Sequence, residues 1–309
     1  MSKKHNHSHN GHGHHHPELS GKNLLISIVL NIIITIAQII GGFLSGSLAL
    51  ISDAVHNLSD VISLIVSYVA NRLSNSKQQT LKQTFGFKRA EIIAAFFNAA
   101  TLIIIAIFLG IEAIKRFNNP QEVESNLVIW LALLGILANG FSVLLLKKDA
   151  EHNLNMKSAY LHLLTDMLTS VAVFIGGLLM KFYHIYWIDA VLTLVISVYL
   201  IYMSWRIFIE SLKILMLFAP DHIIIEDIEK EILQIEGIRN IHHVHIWQLN
   251  EKNCHFEAHI EFKKDVNLSE FDKVCEKIEY LLSHHFNINH SNLQPEFNRD
   301  DDKHFIIQD

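Results

Sequence analysis

The stretch Gly46–Ser63, GSLALISDAVHNLSDVIS, sets Asp53, His56, Asn57 and Asp60 into an apolar segment long enough to cross a bilayer. A charged group at the centre of hydrocarbon costs about 2.5–3.5 kcal/mol on insertion scales, so such residues pair, face a cavity or bind something. His56 and Asp60 stand four apart, one helical turn, and therefore share a face. Outward along the chain, Asn153–Val173, NLNMKSAYLHLLTDMLTSVAV, repeats the His-x-x-x-Asp spacing with His162 and Asp166. Two imidazoles and two carboxylates are an ordinary donor set for a four-coordinate ion of zinc type. The expectation is a divalent metal carried between two membrane helices.

Composition agrees with a chain of two characters. Half of its 309 residues are hydrophobic, and only four are proline. The apolar residues gather in six runs: Leu24–Leu44, Leu48–Ala70, Ile92–Ile114, Leu127–Leu146, Ala159–Met180 and Ile188 to about Leu212. Each is about 20 residues or more, the length that spans hydrocarbon. A transmembrane domain is expected over 23–217 and a second domain over 218–309. The net charge of −6 gives no sign of a nucleic-acid partner. Cys254 and Cys275 lack CxxC spacing, so neither a disulfide framework nor a cysteine zinc site is expected.

Histidine is the unusual residue, at 21. Seven of these lie in residues 1–16, MSKKHNHSHNGHGHHH, a tract too polar for a core. Residues 1–22 are expected to be a disordered cytoplasmic tail that captures divalent metal weakly. No apolar run precedes Lys22, so no cleavable signal is expected.

Loop charge sets the orientation. The link between spans two and three holds Arg72, Lys77, Lys82, Lys88 and Arg89, and that between four and five holds Lys147, Lys148 and Lys157. The opposite side has only Lys115, Arg116 and Lys181, which puts both termini in the cytoplasm by the positive-inside rule. Spans two and five then run antiparallel. Asp60 and Asp166 lie about 18 and about 21 Å from the outer ends of their spans at the helical rise per residue, a matched depth near mid-membrane.

After Pro220 the pattern changes. A helix over IIIEDIEKEILQIE ends at Gly237, alternating strands IRNIHHVHIWQL and CHFEAHIEF follow across NEKN, a helix spans Leu268–Phe286, and a short strand covers about His290–Phe297. The order αββαβ predicts a small two-layer α+β domain.

Taken in order, these motifs resemble the cation diffusion facilitator family, in its bacterial branch that exports zinc, cobalt and cadmium. The resemblance rests on GGFLSGSLALISDAVHNLSD (41–60), FGFKRAEIIAAFFNA (85–99), NMKSAYLHLLTDMLTSVAV (155–173), HHVHIWQL (242–249) and AHIEF (258–262). It implies a six-helix membrane bundle with a cytoplasmic, ferredoxin-like metallochaperone domain, assembled as a homodimer in the bacterial inner membrane. It implies export of Zn²⁺ against protons, with His56, Asp60, His162 and Asp166 as the transport site. His56 stands where some relatives of broader metal choice carry Asp, which favours zinc. The resemblance further implies a cytoplasmic metal site at His242, His259, His290 and Glu296, with His243 and His245 nearby and tail histidines as further donors. Some members hold a weak site in the link after helix two using Asp and His; residues 71–91 have neither, and no metal is expected there. An acid that pairs with the base of the 85–91 motif is replaced by Leu217, leaving Glu210 as a substitute partner for Arg89.

Two other functions fit parts of the pattern: a membrane-embedded zinc sensor without net transport, and an intramembrane zinc enzyme. The enzyme would need three ligands, an open water position and a general base. Two mirrored pairs of ligands fit a carrier better, and no enzyme is expected. The remaining polar residues have plainer roles. Asp53 and Asn57 are expected to support the site by hydrogen bonding or helix packing, Asn31, Gln38, Asn98 and Asn139 to bond between helices, and Gly41, Gly42, Gly176 and Gly177 to let helices approach closely.

Overall fold

The computed structural model describes residues 22–75, 84–150, 154–250 and 253–307. The tail expected to capture metal, and residues 76–83 of the link in which no metal is expected, lie outside them.

Six long helices follow one another: α1 Lys22–Ser45, α2 Leu48–Asn75, α3 Ala90–Asn118, α4 Ser125–Ala150, α5 Leu154–Tyr183 and α6 Trp187–Leu215. Among the described residues, α3 to α6 are each long and apolar enough to cross a membrane, and Val29–Ser45 of α1 adds a shorter apolar stretch. Their outer faces carry exposed Phe43, Phe108, Trp130, Leu144, Phe182 and Val195. Apolar side chains displayed on this scale need lipid around them. The chain is an integral membrane protein.

Two compact units divide the chain, one holding residues up to Val61 with Glu112–Ile196, the other Ile62–Ile111 with Ser197–Asp309. In the first, α4 packs against both α1 and α5. Close approach needs glycine: a Cβ on Gly41 would lie 1.8 Å from Leu131 Cδ1, and one on Gly177 2.9 Å from Ile129 Cγ1. Gly46, at φ +71°, makes the turn from α1 to α2, and Arg116 Nη1 donates to its carbonyl at 2.5 Å. The start of α2 is capped twice. Ser47 Oγ accepts from the Leu50 amide at 3.1 Å, while Asp189 of α6 accepts from Ser47 Oγ at 2.5 Å and from the Leu48 amide at 2.8 Å. A buried carboxylate thus satisfies the orphan amides of a helix end.

The second unit contains the C-terminal α/β layer. Helix α7 Ile225–Leu233, strands β1 Ile238–Asn250 and β2 Asn253–Phe262, helix α8 Leu268–His285 and strand β3 His290–Glu296 reproduce the expected αββαβ order. The sheet runs β1-β2-β3, with β1 antiparallel and β3 parallel to β2. Ile228 and Ile232 of α7 and Ile278 and Leu282 of α8 cover one sheet face, against Ile241, Phe256, Ala258 and Ile260. Helix α8 opens with a capping box, in which Asn267 Oδ1 accepts from the Glu270 amide at 3.0 Å and Glu270 Oε2 from the Asn267 amide at 3.4 Å. The pairing of β1 with β2 is irregular at both ends, between Ile238 and Asn240 and between Gln248 and Asn250, and once in the middle. The register with β2 shifts between His242 and His245, and His243 takes φ +52°, the signature of a bulge.

Glu210 pairs with Arg206 one turn before it, which donates to its carboxylate at 2.8 Å, and among the described residues no ion pair joins it to Arg89. The loop before α3 reaches the sheet by other residues: Lys88 Nζ donates to Asn253 Oδ1 at 3.1 Å, and Phe85 meets the His255 ring edge-on at 5.6 Å.

Removing the capping box by Asn267→Ala is expected to lower the stability of the α/β portion by about 1 kcal/mol, and Asn267→Ser to restore most of it. Thermal unfolding followed by circular dichroism of the full chain, compared across the three proteins, checks this.

Candidate metal centre

Helix periodicity places His56 and Asp60 on one face of α2 and His162 and Asp166 on one face of α5, and the fold turns these faces toward each other. His162 Nε2 lies 3.1 Å from Asp60 Oδ2 and 3.6 Å from Asp166 Oδ2. His56 Nε2 lies 3.3 Å from Asp166 Oδ1, and its Nδ1 3.7 Å from Asp60 Oδ2. Donors at about 2.0–2.1 Å from a tetrahedral zinc ion are separated by about 3.3–3.4 Å, the edge of that tetrahedron. The His–Asp separations lie near that edge, while the two imidazole rings stand farther apart, with centroids 5.9 Å from each other. His56, Asp60 and Asp166 each place a donor atom within 4.8 Å of the others, and His162, the fourth residue anticipated from the two His-x-x-x-Asp repeats, approaches them through its contacts with Asp60 and Asp166.

Exposure is graded across the site. The Asp166 side chain is 0% exposed and that of His56 12%, against 23% for Asp60 and 44% for His162. The site therefore opens toward the C-terminal end of α2 and the N-terminal end of α5, and is closed in the other direction.

Asp53 ties the two halves together. It is buried on α2, and its carboxylate accepts from Thr169 Oγ1 at 2.9 Å and Ser170 Oγ at 3.1 Å, both on α5, and from Gln38 Nε2 of α1 at 2.9 Å. Asn57 Nδ2 in turn donates to Gln38 Oε1 at 3.2 Å. On α4, a Cβ at Gly135 would come within 2.9 Å of Ser170 Oγ and 3.1 Å of Gln38 Nε2, so glycine leaves the network its space. The expected supporting role of Asp53 and Asn57 is thus a strut between helices. Gln38 makes the interhelical bond expected of it, whereas Asn31 accepts from Thr35 within its own helix at 3.4 Å. Thr169 and Ser170 escaped sequence reading because small hydroxyl residues in an apolar helix look like ordinary packing. So did Asp189, whose partners lie 141 and 142 residues away.

A second cluster forms on the sheet. His242 and His259 are cross-strand partners on β1 and β2, and Glu296 ends β3. Glu296 Oε2 lies 3.1 Å from His242 Nε2, and its Oε1 2.9 Å from His259 Nδ1. Asp301 joins them at 3.7 Å from His242 Nε2. Burial, reinforced by the neighbouring imidazoles of His243 and His242, depresses the pKa of His259, although the Glu296 charge opposes the shift. A neutral imidazole keeps a lone pair for a metal. His290 does not belong to this group. It begins β3, paired with His255, with the two rings 4.6 Å apart, while Glu296 stands at the other end of the strand. Strand spacing separates the two ends by about 20 Å. The resemblance placed His290 with Glu296, and the extended strand carries it away. Asp301 was missed because it lies past the last strand in a polar segment without periodicity. His243 stacks on His259 at 4.6 Å, an auxiliary position created by the bulge.

Comparison with known proteins agrees along nearly the whole chain. A family model described as the cation efflux transmembrane domain matches residues 24–216, and one described as the cytoplasmic domain of cation efflux proteins matches residues 220–297. A Bacillus subtilis protein named cadmium, cobalt and zinc/H(+)-K(+) antiporter is 36% identical over 284 residues, 91% of each chain. The zinc transporter ZitB of Pectobacterium atrosepticum is 36% identical over 292 residues, 94% of this chain and 90% of that protein. The metal cation efflux system protein CzcD of Cupriavidus metallidurans is 32% identical over 279 residues, 90% and 87% of the two chains.

If Asp53 fixes the spacing of the half-sites, Asp53→Ala weakens zinc binding at the α2–α5 site by about 10–100-fold, the range for lost supporting partners of metal ligands. Thr169→Val is expected to produce a smaller loss. Equilibrium zinc titration of the purified full-length variants measures both; unaltered affinity in Asp53→Ala would remove the strut from the account.

Proposed function

The chain belongs to the cation efflux family, and on that premise we propose that it is a secondary-active exporter carrying Zn²⁺ out of the cytoplasm in exchange for protons. The observation that carries this reading is the convergence of His56, Asp60, His162 and Asp166, with His–Asp separations of 3.1–3.7 Å, inside an apolar helix bundle. Two features support a carrier over an enzyme. The four donors complete the coordination of zinc, leaving no position for a reacting water, and the site opens in one direction only, as alternating access requires.

The chemistry of exchange follows from the contacts. Each imidazole sits against carboxylate oxygens at 3.1–3.7 Å, close enough for either a proton or a metal ion to bridge the two. Zinc requires those same nitrogens as lone-pair donors, so loading releases protons and protonation releases zinc. A higher proton activity outside therefore drives unloading there. Asp166, wholly buried, anchors the closed side, and Asp60 with His162 lines the open one. With both termini in the cytoplasm, as the Lys and Arg content of the links supports, the open side faces the cytoplasm and the described conformation is the loading one. Placement in a bacterial inner membrane and assembly as a homodimer are part of the same proposal.

Cadmium and cobalt are proposed as further substrates, since N and O donors discriminate weakly among these ions. The cluster His242, His259, Glu296 and Asp301 is proposed as a second divalent site, cytoplasmic and regulatory, with zinc as its ion.

Asp166→Ala is expected to abolish zinc uptake into everted membrane vesicles and the zinc tolerance the chain confers on a sensitive host. A sensor relying on its cytoplasmic cluster would keep its zinc response in that variant. Collapsing the proton gradient with an uncoupler is expected to stop uphill zinc movement, and continued uphill flux would contradict the exchange. Because zinc and protons compete for the same atoms, zinc affinity should fall as pH is lowered. His56→Asp is expected to raise cadmium flux relative to zinc flux in the same vesicles.

A further inference from the structure

The segment that follows β3 has no part in transport as described above, yet it is closely fitted to the second cluster. The register shift in β1 takes the amides of His243 and Val244 out of regular pairing with β2. They donate instead to the carbonyls of His304 at 3.2 Å and Phe305 at 2.9 Å, which straps the segment after Glu296 along the bulge. The strap delivers two side chains into the cluster. Asp301 adds a carboxylate, and its donor atom and those of His242, His259 and Glu296 all lie within 4.8 Å of one another. Lys303 adds a cation: its Nζ lies 3.0 Å from Glu296 Oε2 and 3.4 Å from His242 Nε2, and in direct contact with the Asp301 carboxylate.

Two carboxylates this close need positive charge near them, above all Glu296, whose side chain is 1% exposed. Arg299 supplies part of it from the rim, with Nη1 3.3 Å from Glu296 Oε1 and Nε 3.6 Å from Asp301 Oδ2. Lys303 supplies it from within, touching three of the four donor residues. An ammonium ion and a divalent metal are alternatives at such a point, because both need the same oxygens and the same imidazole lone pair.

We infer that the Lys303 ammonium is the resident cation of the His242–His259–Glu296–Asp301 site, and that a divalent ion of zinc type loads the site only by displacing it. The inference rests on reading this cluster as a metal site. Its consequence is a threshold: the site stays filled by its own lysine until free metal is high enough to compete, which suits a cytoplasmic site that reports excess. Charge sets the direction of the exchange. The metal brings two positive charges and inner-sphere bonds to imidazole, whereas the lysine brings one charge and hydrogen bonds.

Covalent labelling with diethyl pyrocarbonate, read residue by residue by mass spectrometry on the full-length chain in detergent with increasing zinc chloride, tests this. The reagent modifies free imidazole and free amine, so both partners of the exchange are seen at once. Zinc is expected to protect His259 and to increase Lys303 labelling several-fold over the same concentration range. In Lys303→Met, half-protection of His259 is expected at a zinc concentration about tenfold lower, since one unit charge a few ångströms away no longer competes. If zinc leaves His259 unprotected in the parental chain, the cluster is not a metal site and the inference falls with that reading. If His259 is protected while Lys303 labelling stays constant, or if Lys303→Met is protected at the parental concentration, the metal site stands and displacement of Lys303 is wrong.

Discussion

A carboxylate buried among membrane helices must be compensated where it lies, and Asp53 meets that constraint by accepting from three donors on two other helices. Its three bonds tie α2 to α1 and α5, the neighbour that carries the other half of the site. The separations among His56, Asp60, His162 and Asp166 depend on that tie, as does the absence of a side chain at Gly135 of α4, which leaves room for it. The capping of α2 by Asp189 works on the same principle at the end of the helix, satisfying amides that hydrocarbon would leave bare. Buried charge in this protein is thus used to position helices.

The two candidate metal clusters have the same kinds of donor, imidazole and carboxylate, and differ in the groups that stand against their carboxylates. In the membrane site the carboxylates face the imidazoles of the site itself, so the natural partner of metal release is a proton. In the cluster on the sheet, Lys303 and Arg299 stand against the carboxylates, so the partner of metal binding is an internal cation. One arrangement suits repeated loading and unloading along a pH gradient. The other suits a site that fills once a concentration is exceeded.

Most of the architecture was legible in the sequence because the membrane enforces it. Six apolar runs had to become six helices, and the His-x-x-x-Asp spacing had to put each pair on one helical face. The strands were legible by alternation. What escaped was chemistry created by irregular backbone or by distance. The bulge at His243 follows from no residue preference, and without it nothing announces the strap that brings Asp301 and Lys303 to the cluster. His290 was assigned to that cluster by motif, but a strand seven residues long separates it from Glu296. Thr169 and Ser170 gained meaning only when α5 was seen against Asp53.

The central claim is that one ion is held by all four of His56, Asp60, His162 and Asp166 between α2 and α5. A zinc-edge anomalous difference map of the full-length chain bound to zinc measures this most directly. The account predicts a peak between the two helices with two imidazole nitrogens and two carboxylate oxygens at about 2.0–2.2 Å. A map with density on the sheet cluster alone, or with an ion between the helices that lacks one of the two half-sites, would contradict it.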